Sequence, residues 1–336
     1  MAQVSPAKVK VKDIKQVNLV VKDVLGTAEN YWNILGIGPW DIYELRPPIL
    51  SEVIYHGKPV QVSMKLGVTM VGRVQLGLIE PVSGDSIYSD FLKEYGEGPH
   101  HLQFTTDNVD DVTQIMAKEG FPLLMSGRIG DGAFAHYDTV DALKTIWGAF
   151  RPPKGVSPNY RYPENEAQVS PAKIKVKRIS QVAIVIRDIP TVVKNYWNIL
   201  GIGPWIIYPW EGPHIYNRRY HEKPAWAKEK IAIAEVENVQ FEPVQPIVGD
   251  SIYQDFIEEH GEGLHHLQFL VDEVDEVNSV DEAVKILAKE GFPCLQRANI
   301  GDTGVFAYID IKPLHIIWEP IHRAKNRGVE PIHYPG

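Results

Sequence analysis

The sequence predicts an α+β protein in which a β-α-β-β-β unit is used four times, in curved, mostly antiparallel sheets grouped into two domains. Two observations predict it. The chain is written twice: Asn-Tyr-Trp-Asn-Ile-Leu-Gly-Ile-Gly-Pro-Trp runs from Asn30 to Trp40 and again from Asn195 to Trp205, and Gly-Asp-Ser-Ile-Tyr starts at Gly84 and at Gly249. The register between the copies is a constant 165 residues from Gln16 and Gln181 to His101 and His266. Each copy also reads strand, helix, strands, and then starts that order over.

Taken in order, Lys15 to Val21 is apolar and β-rich, and Gln181 to Ile186 repeats it. Asp23 and Asp188 stand where a helix begins. That helix reaches Leu35 or Leu200 and stops at Gly36 or Gly201, where glycine suits a C-cap. Strands follow through Gln61 to Met64 and Val68 to Ile79. The second half of each copy opens with a strand at His101 to Phe104. A helix at 110–119, and at 280–290 in the second copy, ends in Glu-Gly-Phe-Pro. Phe134 to Tyr137 and Thr145 to Trp147 close the copy. An insertion around Glu276 to Val280 shifts the later register of copy two to 171. The expected domains are 1–152 and 173–336, with 153–172, rich in Pro, Asn and Glu, as the linker.

Composition is that of an ordinary globular protein, with 44% hydrophobic and 23% charged residues. A net charge of −9 argues against a nucleic-acid partner, because phosphate binding needs a basic face. The first residues alternate with lysines and do not read as a signal peptide. No stretch reads as a membrane span. The single Cys294 precludes an internal disulfide and fits a reducing cytoplasm. The expected partner is a small-molecule substrate, and the pattern allows a homodimer.

A duplicated chain carries its own control: what both copies keep is explained by shared fold, and what one copy has lost is suspect as function. Val74 to Pro81 aligns with Val239 to Pro246, so Gly77 faces Glu242. Lys144 to Phe150 aligns with His315 to Ile321, so Gly148 faces Glu319. Copy two thus holds four polar residues on otherwise apolar strands: Gln181, Glu242, His266 and Glu319. Strand side chains alternate faces, so Leu267 and Phe269 share the core face, and His266 and Gln268 the other. A buried ionised Glu is costly unless paired or bound to a metal. An imidazole with carboxylate and amide oxygens suits one divalent ion per chain, with Zn, Ni, Co, Mn and Fe all open. Taken singly, the blander readings hold: a strand Gln bonding backbone, and His100 and His265 as supports. Trp210, Tyr216, Arg218, Arg219 and Trp226 occur in copy two alone, replacing Leu45, Ser51, Val53, Ile54 and Gln61. They are candidate substrate-binding residues for an anionic or flat molecule, or else a solvated edge strand.

The run Gly249-Asp250-Ser251-Ile252-Tyr253-Gln254-Asp255-Phe256, followed by Gly261-Glu262-Gly263-Leu264-His265-His266, resembles the vicinal oxygen chelate superfamily, and within it methylmalonyl-CoA epimerases. Gln181-Val-Ala-Ile-Val-Ile-Arg-Asp and Trp197-Asn-Ile-Leu-Gly resemble the superfamily's first strand and helix. The resemblance implies four βαβββ modules paired into two such domains with curved mixed sheets, with Gln181, Glu242, His266 and Glu319 as metal ligands. Copy one offers Gln16, Gly77, His101 and Gly148, half a set. Epimerases of the family usually carry His at the first position; Gln with Glu, His and Glu looks more like a form of glyoxalase I. The family's extra acid has Glu222 and Glu229 as nearest candidates. The expected activity is a metal-dependent epimerase or isomerase in which Glu242 or Glu319 moves a proton next to a metal-bound carbonyl. The alternatives are a metal-dependent lyase or dioxygenase on an aromatic substrate, and a non-catalytic small-molecule binder. Losing two Glu at once from one copy also implies that each site forms within one copy.

Overall fold

The computed structural model describes residues 3–165, 167–237, 239–275 and 277–335, and the chain divides into two units with one 11-stranded sheet each. Ala2, where the first repeat was expected to open, and Glu276, where the insertion was expected to begin, lie outside the described residues. At the heart of the first sheet, four strands lie side by side in the order Val74–Ser83, Gln16–Val20, Gly98–Thr105, Ile146–Arg151. The outer neighbours run parallel and the central pair antiparallel. The second sheet repeats this with Val239–Gly249, Gln181–Val185, Gly263–Leu270 and Ile317–His322. The flanking hairpins are antiparallel, so each sheet is mixed and curls into a half-barrel. Modules therefore pair within each copy.

The hydrophobic pattern explains the strands. Every residue of Gln16–Val20 and of Gln181–Val185 is buried, as befits strands central to a sheet. The helix Val24–Leu35 starts where the Asp23 side chain accepts from the Leu25 and Gly26 amides, and ends at Gly36 in the left-handed region. Its counterpart Ile189–Ile199 has Pro in its first turn, where a missing N–H costs nothing. The helices Val109–Lys118 and Val280–Lys289 are capped by Asn108 and Ser279 side chains.

The Gly-Asp-Ser-Ile-Tyr motif turns out to be a corner that opens a helix unassigned from the sequence pattern. Ser86 and Ser251 cap the helices Ile87–Glu94 and Ile252–His260. Gly84 and Gly249 precede them with φ of 83° and 97°, and a Cβ at Gly249 would run into the Trp226 carbonyl. Gly249→Ala should therefore lower unfolding free energy by more than about 2 kcal/mol, read by chemical denaturation; an unchanged midpoint would remove the glycine's role.

The stretch 153–172 is not free chain. Tyr160–Tyr162 pairs antiparallel with Trp40–Leu45 at the sheet edge, and Ile332–Tyr334 does the same to Trp205–Trp210 in the second unit. An exposed edge strand offers unpaired backbone groups, and an extended tail satisfies them. The units divide between Ala172 and Lys173, and of the described residues, 3–6 belong with the second unit. There, Ser5 Oγ donates to the Trp197 carbonyl, while in the first unit Ser170 Oγ donates to that of Trp32. Among the described residues no helix is long and apolar enough to cross a membrane.

Candidate metal centre

The centre of the second sheet brings His266, Glu242 and Glu319 together. His266 stands on the Gly263–Leu270 strand, with Ala183 of the Gln181 strand opposite it. That pairing slips between Ala183 and Ile184, which leaves His265 as an extra, bulged residue. The bulge turns His265 towards His266, so their Nδ1 atoms approach to 2.9 Å although neighbours on a regular strand face opposite ways. His266 Nε2 then points at the two carboxylates, 3.7 Å from Glu242 Oε2 and 3.4 Å from Glu319 Oε2. All three side chains are buried, and His266 Nε2 has no hydrogen-bond partner among the described residues.

Burial first, and then the neighbouring Glu319 carboxylate, push the Glu242 carboxyl up to about 8, against the pull of Arg327, Arg323 and Gln181. Burial and the charge of His266 hold His265 well below the usual imidazole range. Two Glu oxygens and one imidazole nitrogen, held a few ångströms apart out of water, are the donor set a divalent ion neutralises. Two donors bound to one ion at about 2.1 Å stand roughly 3.0–3.4 Å apart, close to the spacings seen. Among the described residues no group of three or more His, Cys, Asp or Glu is placed so that it could hold a metal ion as it stands. The chemistry of the three side chains, an unpartnered imidazole nitrogen facing two buried carboxylates, is that of a divalent-ion donor set.

Gln181 lies beside the three but is tied at both ends. Its Oε1 accepts from Gln268 Nε2 at 2.8 Å, and its Nε2 donates to Gln240 Oε1 at 3.3 Å. The same Gln268 nitrogen donates to Glu319 Oε2 at 2.7 Å, so Gln268 fixes both. Of the five candidate substrate contacts, only Trp210 lines the cavity at this centre. Arg218 is buried and forms a two-pronged ion pair with buried Glu229, Nη2 to Oε2 at 2.6 Å, so neither is free to meet a ligand. Arg219 Nη1 donates to the Glu222 carbonyl. Tyr216 and Trp226 are exposed, and Trp226 is 61% accessible. Trp210 apart, the aromatic and cationic excess of copy two thus divides between an internal ion pair, a turn and a solvated edge.

Two arginines escaped the sequence reading. Arg323 and Arg327 follow the strand Ile317–His322 and line the cavity. The Arg327 guanidinium stacks over the rings of Tyr208 and Trp210, 4.6 and 5.6 Å from their centroids, and its buried Nη1 has no hydrogen-bond partner among the described residues. Arg323 Nη2 donates to Gln240 and Gln268 at 2.8 and 3.2 Å. The duplication held the signal: carried past Phe150, the alignment puts Arg323 opposite Pro152 and Arg327 opposite Val156.

The sequence profile of the Glyoxalase/Bleomycin resistance protein/Dioxygenase superfamily matches residues 15–137 and 180–308. No curated protein matches the chain. Among solved structures, a triple mutant of 4-hydroxymandelate synthase from Streptomyces coelicolor is similar with a TM-score of 0.58 and 15% identity, over 96% of this chain and 95% of that one. Methylmalonyl-CoA epimerase from Mycobacterium tuberculosis is similar with a TM-score of 0.33 and 18% identity, over 44% of this chain and 93% of that one.

Proposed function

The chain belongs to the Glyoxalase/Bleomycin resistance protein/Dioxygenase superfamily, and on that premise we propose that its second unit is a divalent-metal-dependent epimerase or isomerase acting on a small anionic carbonyl compound. One observation carries this: the unpartnered His266 Nε2 facing two buried carboxylates that the first copy has replaced with glycines. His266, Glu242 and Glu319 would hold the ion, with the Gln181 amide beside them. When bound, an ion there polarises a substrate carbonyl and stabilises negative charge on its oxygen.

The chain's own residues supply the rest. A Glu242 or Glu319 carboxylate oxygen takes a proton from the carbon next to the carbonyl and returns it on either face. The Arg327 guanidinium, held flat by Tyr208 and Trp210, receives the anionic end of the substrate. Gln268 holds Glu319 in place. The cavity at this centre measures only about 20 Å³, so it has to widen for a substrate to enter, and the segment carrying Arg323 and Arg327 is part of its lining. That segment is anchored by Asn326, whose amide donates to Asp302 and whose carbonyl accepts from it.

Metal-stripped protein titrated with zinc, manganese or nickel should take up one ion per chain, read by calorimetry and elemental analysis. Two tightly held ions would sink the assignment to one unit. With the metal restored, a turned-over carbonyl acid in heavy water should gain deuterium at the carbon next to the carbonyl; a product without label would exclude the proton-transfer reading. A second reading is oxygen-using chemistry on an aromatic acid, favoured by the fold shared with 4-hydroxymandelate synthase and by the aromatic-backed Arg327. One imidazole with two carboxylates departs from the two-His, one-carboxylate set of iron oxygenases. Oxygen uptake with ferrous protein separates the two.

A further inference from the structure

The first unit lacks the carboxylates yet holds the larger cavity, about 260 Å³ against about 20 Å³ at the equivalent place in the second. The copies differ there by more than loss. Asn18 stands where the second copy has Ala183, and its amide fills the space a side chain at Gly77 would need. In the strand pairing, where Tyr137 faces Trp147 and Ile309 faces Trp318, His136 takes the place of Tyr308, and it lies 2.9 Å from where a Cβ at Gly148 would be. Both vacated carboxylate positions have thus been taken by neutral polar groups. The roof has changed in step: Pro152 and Val156 replace Arg323 and Arg327, and Leu45 replaces Trp210. Met64 and Val53 replace the Glu229 and Arg218 pair.

We propose that the first unit is a second binding site, for an uncharged, largely apolar small molecule of aromatic-ring size bearing a carbonyl or hydroxyl oxygen. The walls are apolar, with Leu45, Met64, Leu66, Val68 and Phe134 among them. The floor is polar and incompletely satisfied. Asn18 Nδ2 and His101 Nε2 line it, both buried and both without a hydrogen-bond partner among the described residues. His101 Nδ1 is turned to His100, which leaves Nε2 aimed inward. Buried polar atoms in a native protein almost always find partners, so two in one cavity mark where a ligand's oxygen sits. A cavity of about 150 Å³ admits benzene, so this one admits a substituted ring. Gln16, Gln103 and the His101 imidazole, which burial keeps neutral, add no charge to the floor, and Lys15 is the one other ionisable group in the lining besides two tyrosines. A carboxylate set against Asn18 and His101 would be stripped of water, with Lys15 the single cation in the lining to offset that cost.

The test uses the full chain with acetophenone as probe and benzoate as its anionic counterpart, in ligand-observed NMR and calorimetry. Acetophenone should bind and benzoate should not. Leu45→Trp, which installs the second unit's ring, should abolish acetophenone binding. Asn18→Ala, which installs the second unit's residue without filling the space, should weaken it about tenfold, the equivalent of one hydrogen bond. Glu319→Gln in the other unit should leave it unchanged, which keeps this result separate from the metal reading. Acetophenone binding that survives Asn18→Ala undiminished, benzoate binding as tight as acetophenone, or no acetophenone binding by the unsubstituted chain would each overturn the proposal. Asn18→Ala decides the matter even if Leu45→Trp does not fold.

Discussion

Glu319→Gln should abolish tight divalent-metal binding while making the metal-free protein more stable. The two effects share one cause. Glu242 and Glu319 face His266 in a buried site, and burial plus the neighbouring charge lift the Glu242 carboxyl to about 8. A carboxyl whose folded pKa is raised is stabilising below its unfolded value, near 4.5, and loses that stability as pH climbs towards the folded value. At pH 7 the cost is on the order of 3 kcal/mol in the metal-free protein. Replacing Glu319 by its neutral isostere removes the repulsion, keeps an acceptor for Gln268 Nε2, and should raise the melting temperature of the metal-free form by several degrees. Losing a ligand should weaken metal binding more than the 10–100-fold typical of an outer-shell partner, so by more than about 100-fold. Calorimetric metal titration and differential scanning calorimetry of stripped protein check both halves. A variant that binds metal normally, or melts lower when metal-free, would show that Glu319 supports structure instead of a site.

The duplication made most of this legible, because pairs such as Gly77/Glu242 and Gly148/Glu319 are read by alignment without any structure. Strand phase placed His266 and Gln268 on one face. It could not place His265, because a bulge breaks the period-two rule on which phase depends. The helix at Ile252–His260 was hidden in a motif valued for its resemblance, although Ser251 three residues before Gln254 is an N-cap signal. The Arg218–Glu229 pair was not legible because it joins Ile215–Tyr220 to Ala227–Val236, strands that are not neighbours in the sheet and meet only through its curl. Arg323 and Arg327 lie beyond the strand Ile317–His322, outside the apolar pattern that marks the sheet, so periodicity carries no signal for them. Asn18 and His136 were missed for a subtler reason. Each is a gain in copy one, and its meaning depends on the room that Gly77 and Gly148 leave for it, which only the folded sheet shows.

Acid should unfold the first unit before the second. Burial drives His100 and His136 down to about 3, and His101 well below the ordinary imidazole value. An imidazole with a depressed folded pKa is indifferent to pH above its unfolded value, near 6.5. Below that, the unfolded chain takes up a proton that the folded chain refuses, and stability falls until pH reaches the folded value. At pH 5 each such group has cost about 2 kcal/mol, so His100 and His136 alone remove roughly 4 kcal/mol from the first unit. The second unit carries one similarly depressed imidazole, His265, and a compensating group. Glu242, raised to about 8, regains stability over the same interval as pH falls from 8 to 4.5. The two shifts oppose each other there, and nothing opposes the histidines of the first unit. Amide hydrogen exchange at pH 7.5 and pH 5 should show protection lost first in strands Gln16–Val20 and Gly98–Thr105 while Gln181–Val185 and Gly263–Leu270 stay protected. His136→Tyr, the second unit's residue at that place, should shrink the loss between those pH values by about 2 kcal/mol. Equal acid sensitivity of both units would mean that the buried imidazoles of the first are reached by water and take up their protons in the folded state.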